Sequence, residues 1–134
     1  MNEQFVSSEI AEKLKKLNFD EPCLAWYEYD EDGEFLTLLS GVRGNKRYRH
    51  INGYFGVHIH DLVKTKTLAP LYQQVQKWLR EVHNIHIQII FLALNNRYVF
   101  AIYKYGEEDI ESILEYETYE LALEAALQEA LKLI

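Results

Sequence analysis

The sequence predicts an α+β fold, with an antiparallel sheet of four to six strands packed with three helices in the order α-β(n)-α-β-β-α. Apolar residues recur at helical spacing in three separate segments. Elsewhere they alternate in short runs bounded by Asn, Asp and Gly, as in hairpins and meanders. The 134 residues suit one domain, so we expect a single α+β domain over residues 1–134.

The first predicted helix begins at Ser7 or Ser8, because a serine hydroxyl can accept a hydrogen bond from a backbone N–H of the first turn. Its apolar stripe consists of Ile10, Leu14 and Leu17. The segment from Asn18 to Pro22 ends the helix, since a residue before proline avoids helical backbone angles.

Strand-like alternation follows in residues 23–29 and 34–40, on either side of an acidic turn at residues 30–33. Gly44-Asn45 and Asn52-Gly53 are both two-residue hairpin connectors. We therefore predict a strand meander that runs on to about residue 60.

Pairing about Asn52-Gly53 sets the register of the last hairpin in this meander. The pairs on one face are Tyr48 with Val57 and His50 with Phe55. The other face receives Arg47 opposite His58, and Arg49 beside Gly56 and Tyr54. One face of the hairpin is therefore predicted to be basic and aromatic.

The central helix is predicted to be capped by Thr67, with Pro70 in the first turn, where a missing N–H costs little. Its apolar face recurs at helical spacing and consists of Leu71, Val75, Trp78, Leu79 and Val82. We expect this face to be buried and the helix to be structural.

Two apolar strands follow at residues 86–94 and 97–105 and are joined at Asn95-Asn96, since asparagine tolerates positive φ. In that register Phe91 faces Phe100 and Ile89 faces Ile102 on one side. The other side collects Leu92 opposite Val99, Ile90 opposite Ala101, and Tyr103 and Tyr105. Because both faces are apolar, we predict self-association through the second face, with cover by the chain's own helices as the alternative.

Residues 106–117 form an acidic connection to the last helix. Thr118 caps that helix, which is rich in alanine and leucine and runs to the C-terminus. Its predicted buried stripe consists of Leu123, Leu127, Ala130, Leu131 and Ile134.

Charge is unevenly distributed along the chain, whose formal net charge is −7. Residues 41–67 hold six basic residues and one acidic residue, a balance of +5, so the remainder carries −12. Residues 106–117 contribute six carboxylates and no base. The acidic average argues against general binding to nucleic acid or to anionic membranes.

The chain contains one cysteine, Cys23, and no run of about 18 apolar residues that would suit a membrane span. Its first residues lack the basic start and apolar run of a signal peptide. We expect a cytoplasmic protein in a reducing compartment, with no membrane partner.

Three segments carry a family resemblance: VSSEIAEKLKKLNFDEPCLAWY (6–27), TLAPLYQQVQKWLREVHNI (67–85) and TYELALEAALQEALKLI (118–134). In combination they resemble a family of small phage and prophage proteins from gut bacteria. The resemblance implies an accessory role in the cytoplasm of an infected or lysogenic bacterial host. It supplies no active site.

The basic and aromatic segment is the candidate ligand-binding site. Arginine binds phosphate oxygens through two parallel N–H bonds, and a tyrosine ring can stack on a base. The candidate ligand-binding residues are Arg43, Lys46, Arg47, Arg49, Tyr54 and His58. The alternative is that the segment neutralises the acidic connection or a neighbouring subunit.

Metal binding, calcium binding and nucleophilic catalysis each lack residues that such a site requires. His58 and His60 fall on one face of a strand about 6.5–7 Å apart and would need a third ligand to share a metal. The acidic turn lacks the Glu at the twelfth position and the flanking helices of a calcium loop. Cys23 is expected to pack in the interior, and no glycine-rich elbow or phosphate loop surrounds a serine or threonine. We therefore lean away from an enzyme and name no catalytic residue, metal or cofactor.

These observations lead to the hypothesis of a non-enzymatic, phage-type accessory protein. It would bind a phosphate-bearing small molecule of the nucleotide class through residues 43–60, and so sequester a host defence signal. The alternative is an inhibitor whose acidic surface engages a host defence protein or mimics nucleic acid. An enzyme ranks third.

Overall fold

The computed structural model describes residues 4–30, 33–38, 48–51, 54–57 and 66–134, with side chains at 4–27 and 67–134. These ranges form helices and antiparallel strands, which confirms the predicted α+β fold. The helices are α1 (Ser8–Lys16), α2 (Tyr72–His83) and α3 (Tyr119–Leu131). The strands are β1 (Ala25–Asp30), β2 (Gly33–Leu38), β3 (Tyr48–Ile51), β4 (Tyr54–Val57), β5 (Lys66–Leu68), β6 (Ile85–Leu92), β7 (Arg97–Lys104) and β8 (Ile110–Glu111). No helix in these ranges is long and apolar enough to cross a membrane.

Contacts between Cα atoms divide the chain into two compact units, Met1–Tyr72 and Gln73–Ile134. Within the described ranges, the first unit holds a sheet in the order β2-β1-β5 and a two-stranded sheet of β3 and β4. The second unit holds a sheet in the order β6-β7-β8. A single domain over residues 1–134 stays a prediction.

Helix α1 begins as predicted, because Ser7 Oγ accepts a hydrogen bond from the Ile10 N–H at 3.3 Å. Its end has a different cause from the predicted one. Asn18 takes a left-handed conformation (φ 62°), and the Phe19 N–H then donates to the Leu14 carbonyl at 3.0 Å. Asn18 therefore terminates the helix before the proline is reached.

Strands β1 and β2 form the predicted hairpin about the acidic turn, with Asp30 paired to Gly33. The other edge of β1 pairs with β5, a strand that the sequence did not indicate. Thr67 lies in β5 and is buried, so the prediction that it caps the central helix is wrong. Pairing with β1 keeps its backbone extended, and its Oγ1 donates to Glu12 Oε1 at 2.8 Å.

Strands β3 and β4 pair in the predicted register. The observed pairs are Tyr48 with Val57, Arg49 with Gly56, His50 with Phe55 and Ile51 with Tyr54. The predicted turns Gly44-Asn45 and Asn52-Gly53 and the pair Arg47–His58 lie outside the described residues. The prediction of one continuous meander is wrong within the described ranges, because β3 and β4 form a two-stranded sheet separate from that of β1 and β2. A strand from farther along the chain, β5, occupies the second edge of β1 instead.

Helix α2 starts at Tyr72 and buries most of the predicted apolar face. The buried members are Val75, Trp78 and Leu79. Leu71 precedes the helix and forms a β-bridge with Phe5, and Val82 is 60% exposed, so these two residues do not belong to the buried stripe.

The β6–β7 hairpin is formed, but its register differs by two residues from the predicted one. The observed pairs include Ile87 with Ile102, Ile89 with Phe100 and Phe91 with Tyr98. A tight two-residue turn of the expected type needs positive φ at both asparagines, and only Asn96 has it (φ 53°). The connection therefore takes residues 93–96, with the Asn95 N–H donating to the Leu92 carbonyl at 3.1 Å. A shift by two residues keeps every side chain on its predicted face.

Helix α3 packs on one face of this hairpin. Lys104 Nζ donates to the Leu133 carbonyl at 2.9 Å, and the centroids of the Tyr98 and Tyr119 rings lie 6.2 Å apart. Phe100, on the same face, is buried. The opposite face is the one predicted to mediate self-association. There Ala101 is buried and Tyr105 is exposed. The other predicted contact residues are half-buried: Ile90, Leu92, Val99 and Tyr103. Self-association through that face stays a prediction.

Thr118 caps α3 as predicted, with its Oγ1 accepting from the Leu121 N–H at 3.1 Å. The predicted stripe is buried except for Ile134, which lies beyond the end of the helix and is 43% exposed. Ala122 and Ala126 are also buried, because the packed face of α3 is wider than a single stripe.

Replacing Trp78 with alanine tests whether the central helix is structural. Trp78 is 6% exposed. Its ring lies edge-on to the ring of His83, with the two ring centroids 4.6 Å apart. Loss of this buried ring should lower the free energy of unfolding in urea by about 3–5 kcal/mol. Val82→Ala, at an exposed position of the same helix, should change it by less than about 0.5 kcal/mol. A Trp78→Ala variant as stable as the parent would contradict a packing role for the ring.

Candidate functional site

The basic hairpin predicted as the ligand site is described only in its backbone. Arg49 lies in β3 and Tyr54 in β4, and antiparallel pairing sets Arg49 opposite Gly56. The other predicted site residues lie outside the described residues: Arg43, Lys46, Arg47 and His58. The structure thus provides the strand frame of the hairpin, and the roles of its side chains stay a prediction.

The acidic connection, residues 106–117, runs along the edge of β7 in the second unit. The chain turns at Gly106, whose φ of 82° costs a glycine little. Strand β8 then pairs with β7. Next to it, the Ser112 N–H donates to the Phe100 carbonyl at 2.9 Å, and the Phe100 N–H donates to Ser112 Oγ at 3.1 Å.

A second attachment follows four residues later. Tyr116 and Tyr98 exchange two backbone hydrogen bonds of 2.8 Å, each N–H donating to the carbonyl of the other residue. The chain between the two attachments carries Ile113 and Leu114, which are 99% and 65% exposed. Two apolar side chains are therefore presented to solvent from a segment that is tied to the sheet at both ends.

These two residues border an open cleft of about 670 Å³ between the connection and α3. The apolar residues that line it are Phe100, Ile110, Ile113, Leu114, Tyr116 and Ala125. Phe100 is buried, and its ring centroid lies 6.2 Å from that of Tyr116. Sequence reasoning missed this cleft, although an apolar Ile-Leu pair inside an otherwise acidic stretch was a signal for it.

Carboxylates and an amide line the same cleft. Gln128 Nε2 donates to Glu124 Oε2 at 3.0 Å, and Glu129 Oε1 lies 3.0 Å from Lys132 Nζ. Glu111 also lines the cleft, is exposed, and forms no ion pair with any residue of the described ranges. The lining of the cleft therefore carries negative charge beside apolar side chains.

Bases of the second unit neutralise only part of its acidic charge. Lys104 Nζ lies 3.5 Å from Glu107 Oε1, and Arg97 Nη1 lies 3.9 Å from Glu117 Oε1. Residues 73–134 hold ten carboxylates and five basic residues, a net charge of −5. Five carboxylates are thus in excess within the unit that contains the cleft.

Cys23 is a packing residue, as the sequence predicted. It is fully buried, and its Sγ–H donates to the Glu21 carbonyl at 3.3 Å. Burial raises the pKa of the Cys23 thiol well above its usual value, and the charges of Glu21 and Asp20 raise it further. A thiol that stays protonated and has no access to solvent is a poor nucleophile.

The two histidines of the second unit have separate partners. His83 contacts the Trp78 ring, and His86 Nε2 forms a hydrogen bond with Asn84 Oδ1 at 3.0 Å. No group of three or more His, Cys, Asp or Glu residues in these ranges is arranged to hold a metal. The His58–His60 pair lies outside them.

Comparisons with protein-family models, with curated proteins and with solved structures find no match for the chain. The resemblance of its two ends and central helix to small phage proteins therefore stays a prediction.

The buried thiol has a measurable consequence at alkaline pH. Because folding raises the pKa of Cys23, its contribution to stability is complete below the ordinary thiol pKa of 9.0 and falls as pH rises above that value. The free energy of unfolding of the parent should therefore decline more steeply above pH 9.0 than that of Cys23→Ala. At pH 8 a thiol reagent should modify the native parent far more slowly than the urea-unfolded chain. Equal modification rates would contradict the buried position.

Proposed function

We propose that this chain is a non-enzymatic accessory protein that binds a phosphate-bearing small molecule of the nucleotide class through the basic hairpin at residues 43–60. In a bacterial host, such binding would sequester a nucleotide defence signal. The observation that carries the proposal is the pairing of β3 with β4. Its register puts Arg49 in a regular strand, two residues after Arg47 and opposite Gly56.

The chemistry follows from strand geometry and from side-chain type. Residues two apart on a strand share a face, so the proposal assigns Arg47 and Arg49 to the same phosphate group. A guanidinium binds phosphate oxygens in a bidentate manner and stays charged at every physiological pH. Gly56 brings no side chain to the position across from Arg49, and Tyr54 supplies a ring for base stacking.

Composition favours binding over catalysis in this hairpin. Residues 43–60 contain no Asp, Glu, Ser, Thr or Cys, so the segment has neither a carboxylate base nor a serine, threonine or cysteine nucleophile. It contains four cationic side chains, three histidines and three aromatic rings. That set is suited to hold an anion with a planar group and to release it unchanged.

A second candidate function is an interaction protein whose acidic surface engages a host protein. The observation that favours it is the exposed apolar pair, Ile113 and Leu114, beside a cleft in a unit with a net charge of −5. Grouped apolar residues on a charged surface are typical of protein interfaces.

The hairpin proposal predicts that a nucleotide raises the melting temperature of the parent chain. A ligand that binds only the folded state at about one hundred times its dissociation constant stabilises by about 2.7 kcal/mol. The double variant Arg47→Glu, Arg49→Glu should lose this shift while keeping its own melting temperature nearly unchanged, since the proposal assigns both arginines to the ligand and not to an internal pairing. Added salt should reduce the shift of the parent.

The matched control is Lys16→Glu, Arg80→Glu, which makes the same change in net charge at two exposed helical positions. This variant should bind as the parent does. Equal binding by the hairpin variant would exclude the hairpin as the site. Unfolding of the hairpin variant would place the arginines in an internal pairing, and no shift with any nucleotide would contradict the ligand class.

A further inference from the structure

We propose that the cleft between the acidic connection and α3 binds a basic, apolar polypeptide segment of a partner protein. The inference rests on the second candidate function, and it does not depend on the basic hairpin. Its occupant carries one or two large apolar side chains flanked by lysine or arginine.

The apolar part of the recognition comes from side chains that the fold leaves uncovered. Ile113 and Leu114 stand beside a cleft whose buried wall includes Phe100. Leu121, one helical turn before Ala125 on α3, is 52% exposed and extends the apolar surface along the helix. Removing such a surface from water on contact with an apolar side chain is favourable.

The backbone that presents these side chains is held before any partner arrives. Hydrogen bonds from Ser112 to Phe100 and from Tyr116 to Tyr98 fix the connection on either side of Ile113 and Leu114. A preorganised surface loses less conformational entropy on binding. The exposed pair is therefore suited to act as a docking point.

The negative charge in and next to the cleft favours a cationic occupant. Glu111 lines the cleft, and Glu108 and Asp109 lie just before it in the connection. All three are exposed, and none forms an ion pair within the described ranges. Lysine or arginine beside the apolar anchor would meet these carboxylates, which speeds association and rejects acidic partners. A phosphate-bearing ligand of the hairpin would be repelled here.

The shape of the cleft favours a polypeptide over an enclosed small molecule. Its volume lies within the range of about 300–1,000 Å³ that is common for binding pockets, but it is partly open to solvent and not enclosed. Its lining combines apolar residues with Glu111, Gln128 and Glu129. Such a surface receives side chains that project from a larger partner.

The test uses the whole chain and a short, fluorescently labelled peptide in which two leucines, one helical turn apart, are flanked by lysines. Fluorescence anisotropy at low salt should show saturable binding. Peptides with glutamate in place of lysine, or serine in place of leucine, should bind at least about tenfold more weakly. Failure of the lysine-leucine peptide to bind would overturn the proposal, as would equal binding of the lysine and glutamate peptides.

Variants of the cleft locate the binding. Ile113→Ser combined with Leu114→Ser changes only exposed residues, so the fold should persist while affinity falls about tenfold or more. Glu111→Lys should weaken binding severalfold at low salt and little at high salt. The matched controls are Leu94→Ser, an exposed apolar residue of the β6–β7 connection, and Glu81→Lys, an exposed carboxylate of α2. Both should bind the peptide as the parent does.

Equal binding by the cleft variants and the parent would overturn the proposal. So would an oligomeric mass of the chain alone that the Ile113→Ser, Leu114→Ser variant abolishes, since the occupant would then be a second copy. Arg47→Glu, Arg49→Glu should bind the peptide normally, and loss of peptide binding in that variant would also overturn the cleft as the site. A loss of nucleotide binding in the Arg47→Glu, Arg49→Glu variant tests only the hairpin proposal and not the cleft proposal.

Discussion

The hydrogen bonds that tie the acidic connection to the edge of β7 are the constraint on which the second unit depends. They satisfy the N–H and carbonyl groups of Tyr98 and Phe100, which would otherwise be unpaired on that edge. They also hold a segment of six carboxylates against the sheet despite its internal repulsion. With the connection fixed there, Ile113 and Leu114 cannot fold back into the core, and the space between the connection and α3 remains as a cleft.

Charge divides the chain in a way that agrees with two separate binding surfaces. The basic segment at residues 41–67 belongs to the first unit by sequence, and the excess of carboxylates belongs to the second. An anionic ligand suited to the first would be repelled by the second, and a cationic peptide suited to the second would be repelled by the first. The two proposals therefore assign different partners to different residues and do not compete for one site.

The features predicted well from sequence are those decided by local chemistry. Ser7 and Thr118 cap their helices because a hydroxyl at that position needs only the next turn of backbone. The β3–β4 register follows from the short connection between the two strands. Thr67 was misassigned because its conformation is decided by pairing with β1, some forty residues earlier in the chain. The β6–β7 register was off by two residues because only one of the two asparagines takes positive φ.

The two candidate sites differ in the same way: the basic hairpin could be predicted from local sequence, and the cleft could not. Composition alone located a basic segment with aromatic rings, and the strand frame agrees with the predicted register. The cleft could not be located in that way, because Phe100, Ile113 and Ala125 are brought together only by the return of the chain along β7 and the packing of α3. Ile113 and Leu114 are recognisable in the sequence as apolar residues in an acidic stretch, but their exposure is visible only in the tertiary structure.

Amide hydrogen exchange at β7 tests this account most directly. Alternate residues of a strand direct their N–H groups to opposite edges, so Val99 and Ala101 face β6 while Tyr98 and Phe100 face the acidic connection. We expect the amides of Tyr98, Phe100 and Tyr116 to exchange as slowly as those of Val99 and Ala101. Fast exchange at Tyr98, Phe100 and Tyr116, with Val99 and Ala101 still protected, would mean that the connection is not held on β7. The cleft would then have no fixed wall, and the account of the second unit would be wrong.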